Sequence, residues 1–427
     1  MEKHYDPLLN DTLYTARLEN GLTVAILPKP GYKQSTGRIA IHYGSVDSRF
    51  IDPRSGQEVE VPAGIAHFLE HKLFESEEGN VSDRFSELGA ESNAYTTYTH
   101  TVYYFNTTEN FDEALTLLLD FVQEPWFTDE SVAKEQGIIE QEIRMYLDDP
   151  GWRSNANLLE ALYVHHPVKI DIAGTVESIR QITKETLYLC HQTFYHPSNM
   201  VAFVAGDLDP DHVVDLVQER FARHRYEPQG EIRRLLPDEP GTVKERYRTQ
   251  QLVVSQPIFR IGFKEQQVGV KGRELLERDL LTAILMDVIC GRGSALYTQL
   301  YEAGLIDHRF GFSYNPEITY GFSYFAGPSR DPGELEARLL DGLAEAREQG
   351  IREEDFLRVR NKTMGRIISM MNDIDTLSYM CVDGTFKDIS LFDYIPVAQQ
   401  LTVEAANQRL RIHFLPEYAA VSIIYPK

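Results

Sequence analysis

The chain has 427 residues, 42% hydrophobic and 25% charged, a globular composition long enough for two or three domains with a full core. Its 42 Lys and Arg against 65 Asp and Glu leave a net charge of -23, a field that repels nucleic acid and anionic membranes and argues against a polyanionic ligand. Cys190, Cys290 and Cys381 lie far apart without a CxxC pair, so neither a disulfide framework nor a thiolate metal site is expected. The N-terminus lacks the basic start and apolar stretch of a signal peptide, and no apolar run reaches the length of about 18 residues that a membrane span needs. The expectation is a soluble cytoplasmic protein with no nucleic-acid or membrane partner.

In chain order, Leu22–Leu27 and Gly37–Tyr43 are short β-branched runs bounded by Asn20-Gly21 and Pro28–Gly31, and are predicted strands. Helical periodicity appears from Gly64 to Phe74. The run Ala94–Asn106 (AYTTYTHTVYYFN) is too rich in β formers for a helix, and its tyrosines suit strand packing. Helices follow at Asp112–Val122 and Asp129–Leu147, then a strand at Val201–Ala205 and a helix at Asp209–Phe221. Prolines, glycines and mixed charges between Arg225 and Arg248 suggest an interdomain linker. Beyond it the pattern restarts: a strand at Ile258–Phe263, a helix at Glu274–Ile289, a strand at Gly321–Ala326 and a helix at Glu334–Gln349. Gly291–Ser294 lacks the ending of a phosphate loop and suits a helix C-cap. His165 and His166, in a loop before Pro167, are expected to be surface residues. The predicted domains are 1–224, with a linker at 225–248, and 249–427. The predicted fold class is α+β, two similar two-layer domains with helices packed on one face of a mixed sheet.

The stretch Gly64–Glu75, GIAHFLEHKLFE, puts two histidines and a carboxylate in an apolar run. Pro62, Ala63 and Gly64 suit a helix start, Pro62 near the first-turn position where its missing N–H costs least. On that helix His67 and His71 are four apart and share a face with Glu70 beside them. Two imidazoles one turn apart form a zinc-binding pair, and a neighbouring carboxylate that is not a ligand can act as a base toward water at the metal. The order H-x-x-E-H is the inverted zincin signature. Unpaired polar groups among Ile65, Phe68, Leu69 and Phe74 would each cost about 1–3 kcal/mol, a penalty that a metal removes.

A hydrolytic zinc site needs a third protein ligand and an open position. The segment Lys134–Tyr146 (KEQGIIEQEIRMY) offers Glu135, Glu140 and Glu142. Glu135, Ile139, Glu142 and Tyr146 follow one helical stripe, and Gln136, Glu140 and Arg144 a polar one, so Glu142 lies beside the apolar face. Solvated glutamates on a helix edge fit the same spacing.

HFLEH followed by EQGIIEQEI, together with ENGLTVAILP, SNAYTTYTHTVYY, HPVKIDIAGTVESI and FYHPSNMVAFVAGD, resembles the pitrilysin and mitochondrial-processing-peptidase family of zinc metallopeptidases. The resemblance spans the first half, more weakly the second, and is most like the short, single-chain bacterial members. It implies two domains of the processing-peptidase-like metallohydrolase fold and one Zn2+ per chain held by His67, His71 and Glu142. Glu70 would be the general base, and Glu135 would orient a ligand from outside the first sphere. Asn93 and Ala94 match the edge-strand residues that pair with substrate backbone. The resemblance further implies a zinc endopeptidase acting on short or unstructured peptides inside a clam-shell chamber.

Two departures stand out. The second-half helix ELLERDLLTAILMDVI has no histidine, so that domain is expected to bind no zinc. The counterpart of the family's arginine and tyrosine pair, Leu300–His308 (LYEAGLIDH), lacks both residues at their positions. A second, non-identical zinc-free subunit in a heterodimer is therefore the expected source of that pair, with a homodimer as the other expected assembly. The alternative readings are a non-catalytic peptide-binding or assembly subunit with structural zinc, and a hydrolase of some non-peptide amide.

Overall fold

The seven residues Met200–Gly206 (MVAFVAG) are all buried, as a strand paired on both edges and covered on both faces must be. In the computed structural model, which describes residues 1–427, this strand is central to a seven-stranded sheet. Its members are β1 (Glu2–Asp6), β2 (Asp11–Arg17), β3 (Thr23–Pro28), β4 (Ser35–Ile41), β5 (Ala90–Thr96), β6 (Thr101–Thr107) and β7 (Met200–Gly206). They lie in the order β1-β2-β3-β7-β4-β6-β5, with β3 and β7 parallel and all other neighbours antiparallel. Val24, Ile26, Ile39, Ile41, Ala202 and Val204 from this sheet share one core with Phe68 and Leu69 of helix α1 (Ile65–Leu73) and with Val132, Ile139 and Ile143 of helix α2 (Asp129–Asp148).

The β-rich run from Ala94 to Asn106 belongs to a hairpin, β5 and β6 pairing Thr96 with Thr101. Its turn has no glycine or asparagine. The Thr97 hydroxyl oxygen accepts from Thr99 N at 3.2 Å and His100 N at 3.0 Å, so a β-branched side chain supplies the local turn bonds. β5 is the outer strand, hydrogen-bonded only to β6.

Beneath the sheet, the His191 ring donates from Nε2 to Val122 O at 2.9 Å and is buried, which pushes its pKa down to about 4. A histidine held neutral in the fold contributes stability that is fully present above its unfolded pKa of about 6.5 and is lost as pH falls toward 4. We therefore expect acidification from pH 7 to 4.5 to remove roughly 2–3 kcal/mol through this residue. Urea midpoints at the two pH values check it, with His191→Gln expected to show a correspondingly smaller change.

The second unit repeats the layout. Strands β8 (Tyr247–Leu252), β9 (Ile258–Lys264), β10 (Gly311–Pro316), β11 (Gly321–Pro328) and β12 (Ala419–Pro426) lie in the order β8-β12-β9-β11-β10. Its only parallel pair is β8 with β12. Read position for position, this is the order β3-β7-β4-β6-β5 of the first sheet, so the restart seen in the sequence is a repeat of topology.

The units are not the halves of the chain. The first comprises residues 1–143, 171–236 and 371–385, the second 144–170, 237–370 and 386–427. The predicted boundaries 1–224 and 249–427 thus misplace two segments, and the reason is where two helices bury their faces. Helix α3 (Pro150–Leu162) buries Leu158, Leu159, Ala161 and Leu162, and Leu158 packs so closely on β9 that a Cβ at Gly262 would lie 2.7 Å from it. In the second unit helix α4 (Gly272–Cys290) also packs against the sheet, and the Phe263 ring meets Phe414 on the face opposite Gly262. Helix α5 (Ile374–Phe386) belongs mostly to the first unit, where Asp375 pairs with Arg38 of β4 at 2.5 Å and accepts from Asn106 at 3.2 Å. In addition to the expected helical layer, each sheet therefore carries one helix on its other face.

The expected linker at 225–248 is also structured. Arg234 bonds Asp47 at 2.8 Å in the first unit, while Glu239 in the second accepts from the backbone N of Val164 (2.9 Å), His165 and His166 (2.7 Å each). His166, expected at the surface, is buried: its Nδ1 accepts from Val168 N at 3.1 Å as the cap of a short 3-10 turn. Ser294, in the glycine-rich turn after α4, caps the following helix. No single helix is long and apolar enough to cross a membrane; only α4 and the helix Ala295–Glu302 together, bent by 48°, reach that length. All three cysteines are buried free thiols.

Candidate metal centre

α1 begins one residue later than its sequence suggests. Gly64 is its cap at φ +90°, with no side-chain cap, and Pro62 lies outside the helix. A Cβ at Gly64 would fall 2.4 Å from Ala173 O, and one at Gly174 would fall 2.4 Å from Ala63 O, so the two loops meet backbone to backbone where only glycine fits. Ser178 adds a hydrogen bond from its hydroxyl to Ala63 O at 2.7 Å. The segment DIAGTVES thus fixes the entry of the helix that carries the histidines.

Along α1, Ile65, Ala66, Phe68, Leu69 and Leu73 are buried, and His67 and His71 face the same side with ring centroids 4.5 Å apart. Across from them α2 turns Glu135, Ile139 and Glu142 inward, the stripe its spacing requires, while Glu140 bonds Arg180 at 2.8 Å on the polar stripe. Glu142 Oε1 lies 3.7 Å from His67 Nε2 and Oε2 lies 3.7 Å from His71 Nε2. One ligand atom from each of the three residues falls within 4.8 Å of the others. Tetrahedral zinc with bonds of about 2.0–2.1 Å separates its ligands by roughly 3.4 Å, so closing this set on an ion takes side-chain rotations of up to about 1.4 Å. Two imidazoles and one carboxylate are donors that suit zinc and leave a fourth position.

The electrostatics agree with a cation site. Burial drives the His67 pKa down to about 3, which leaves its ring neutral with a lone pair to donate. Burial would also depress His71, but the hydrogen bond to Glu135 and the charges of Glu70, Glu135 and Glu142 override it and raise its pKa. Glu135 Oε1 sits 2.9 Å from His71 Nδ1, fixing the ring so that Nε2 faces Glu142. His67 Nδ1 is buried without a hydrogen-bond partner.

Glu70 lies beside the donor set and is not one of its three members. It is 7% exposed, and burial, with Glu142's charge adding to it, raises its carboxyl pKa against the opposing pull of Thr96 and His71. The Thr96 hydroxyl donates to Glu70 Oε2 at 2.6 Å, a contact the sequence reading missed because a threonine in a β run gives no sign of its partner. It also missed Lys72, fully buried beside His71, which bonds Glu75; Glu75 in turn lies 3.6 Å from Lys134 on α2. This network ties the end of α1 to α2, and the sequence HKLFE carried its i, i+3 spacing. Asn93 and Ala94 lie on the outer strand β5, where Asn93 Oδ1 accepts from Ala94 N at 2.8 Å.

Fold and donor set define a class, an α/β protein of two like domains with a His-His-Glu centre under an open sheet edge. Residues 23–176 match the profile of the insulinase family, peptidase family M16, and residues 181–363 match that of the peptidase M16 inactive domain. The chain is 39% identical to the uncharacterized zinc protease YmfH of Bacillus subtilis over 98% of both sequences, and 28% identical to an uncharacterized zinc protease of Rickettsia felis over 84% of each. The crystal structure of a putative M16-like peptidase from Alicyclobacillus acidocaldarius superposes with a TM-score of 0.94 at 42% identity, covering 98% of this chain and 99% of that one. Pitrilysin shares the fold at a TM-score of 0.76 and 19% identity, this chain matching 46% of its length. The chain belongs to peptidase family M16, whose relatives here are named zinc proteases.

Proposed function

We propose that this protein is a zinc-dependent endopeptidase of the inverted H-x-x-E-H type that cleaves short or unstructured peptides. The carrying observation is the convergence of His67, His71 and Glu142 from two helices, with the buried carboxylate of Glu70 alongside and an open strand edge on the same unit. When bound, zinc supplies Lewis acidity, polarising an amide carbonyl and making water acidic near neutral pH. His67, His71 and Glu142 would hold the ion, and Glu135 keeps His71 oriented. Glu70, its Oε2 engaged by Thr96, takes the proton of the attacking water on Oε1 and passes it to the leaving amine. A peptide adds to β5 as a further strand, its backbone replacing the Asn93 side chain at Ala94 N.

An extended substrate also needs an opposing wall to exclude water. The absence of the arginine and tyrosine pair between Leu300 and His308 supports a non-identical, zinc-free homologous subunit that completes a clam-shell chamber, a second copy being the alternative assembly that would close the chamber without that pair. The same absence favours, as a second reading, a peptide-binding subunit whose zinc is structural. The composition and buried free thiols fit a cytoplasmic setting.

The test is incubation of the zinc-loaded protein with a mixture of unstructured peptides, alone and with whatever chain is encoded beside it, products being read by mass spectrometry. Cleavage that a chelator stops and zinc restores supports the peptidase; peptide binding without cleavage in either arm overturns it for the second reading.

A further inference from the structure

We propose that Thr96 is a positioning residue for Glu70, its hydroxyl aiming the carboxylate from the same strand that would receive the peptide. This rests on the peptidase reading. A threonine hydroxyl has one proton to donate. Thr101, paired with Thr96 across the hairpin, donates its own to Tyr43 O at 2.9 Å, so toward Thr96 it offers only a lone pair at 3.4 Å. The Thr96 proton goes instead to Glu70 Oε2, 2.6 Å away, within the short range of hydroxyl-to-carboxylate bonds, which are about twice as strong as neutral ones.

The terminal torsion of a glutamate is broad and two-fold, so a carboxylate in a buried site keeps one plane only if something holds it. Thr96 does so from a strand position whose neighbours are themselves fixed. Period-two alternation puts Ala94 on the same face as Thr96, and Ala94 packs against the core of the first unit. With the backbone held by the hairpin, the hydroxyl can shift only by rotation about χ1, which β-branching restricts. One strand carries both the proposed backbone contacts at Asn93 and Ala94 and the group that sets the plane of the base. Peptide addition to β5 then stiffens the strand that aims Glu70, and loss of the hydroxyl should be felt in turnover and not in peptide affinity.

The experiment compares Thr96→Val, which keeps the β-branched shape, Thr96→Ala, which adds no bulk, and Thr96→Ser, which restores the hydroxyl, with wild type and Glu70→Gln on fluorescein-labelled casein as an unstructured substrate. The expected result is a kcat lowered roughly 10–100-fold in the valine and alanine variants, with KM and zinc content within about twofold of wild type and the serine variant near wild type. In the metal-free protein, the infrared carboxylate band that Glu70→Gln removes should shift in Thr96→Val and stay in place in Thr96→Ser. The inference is overturned if both hydroxyl-free variants turn over at the wild-type rate while Glu70→Gln is inactive, if serine is as impaired as valine, or if the band does not move. Wild-type turnover by Glu70→Gln would overturn the base assignment itself, a different failure.

Discussion

Glu70→Gln keeps its zinc and loses roughly 10²–10⁴-fold in turnover, the range a general base supplies. The substitution is nearly isosteric, and its amide oxygen can still accept from the Thr96 hydroxyl, so neither the packing of α1 nor the hairpin is disturbed. What it removes is the capacity to take a proton at Oε1, the oxygen that Thr96 leaves free. Glu70 lies outside the group formed by His67, His71 and Glu142, and the metal should therefore be retained in full. Elemental analysis beside steady-state rates separates the two properties. A variant with wild-type rates would assign the proton transfer to some other group, and one without zinc would place Glu70 among the ligands.

Glu142→Ala produces the complementary outcome, a protein that folds and holds zinc more than about a hundredfold more weakly. Loss of a mere outer-sphere partner already costs about 10–100-fold in metal affinity, and in the proposed site Glu142 is one of three protein donors. Its side chain is also the only one of the three that comes from α2, so without it the remaining imidazoles belong to a single helix. Glu135→Gln should be milder, because His71 would keep a hydrogen-bonding partner at Nδ1. Competition against a chromophoric chelator gives the affinities. The thermal midpoint should respond in parallel: zinc at 100 times its Kd stabilises the wild type by about 2.7 kcal/mol, and that increment should fall to about 0.4 kcal/mol or less in Glu142→Ala at the same concentration. An unchanged affinity would remove Glu142 from the site.

The histidine pair and the inward stripe of α2 could be read from spacing, because helical period places side chains on a face without reference to the rest of the fold. Pairing Glu142 with that histidine pair took the resemblance to related sequences; periodicity alone left solvated glutamates equally open. The contacts of Thr96 and Lys72 could not be read at all, since they depend on which distant group a common side chain meets. The two exchanged segments escaped for a similar reason. The apolar face of α3 announces that it is buried, and nothing in thirteen residues says that the covering surface is a strand a hundred positions later. His166 looked like a surface residue because a loop before proline usually is one, whereas here the buried ring closes a turn beside the partly buried carboxylate of Glu239.

The placement of residues 371–385 with the first unit bears on how the protein is made. A ribosome works from the N-terminus, and Arg38 is among the early residues to emerge, yet its carboxylate partner Asp375 comes more than three hundred codons later. Until then the face of the first sheet that α5 covers stays wet, and the metal-bearing unit is unfinished while most of the other has already been synthesised.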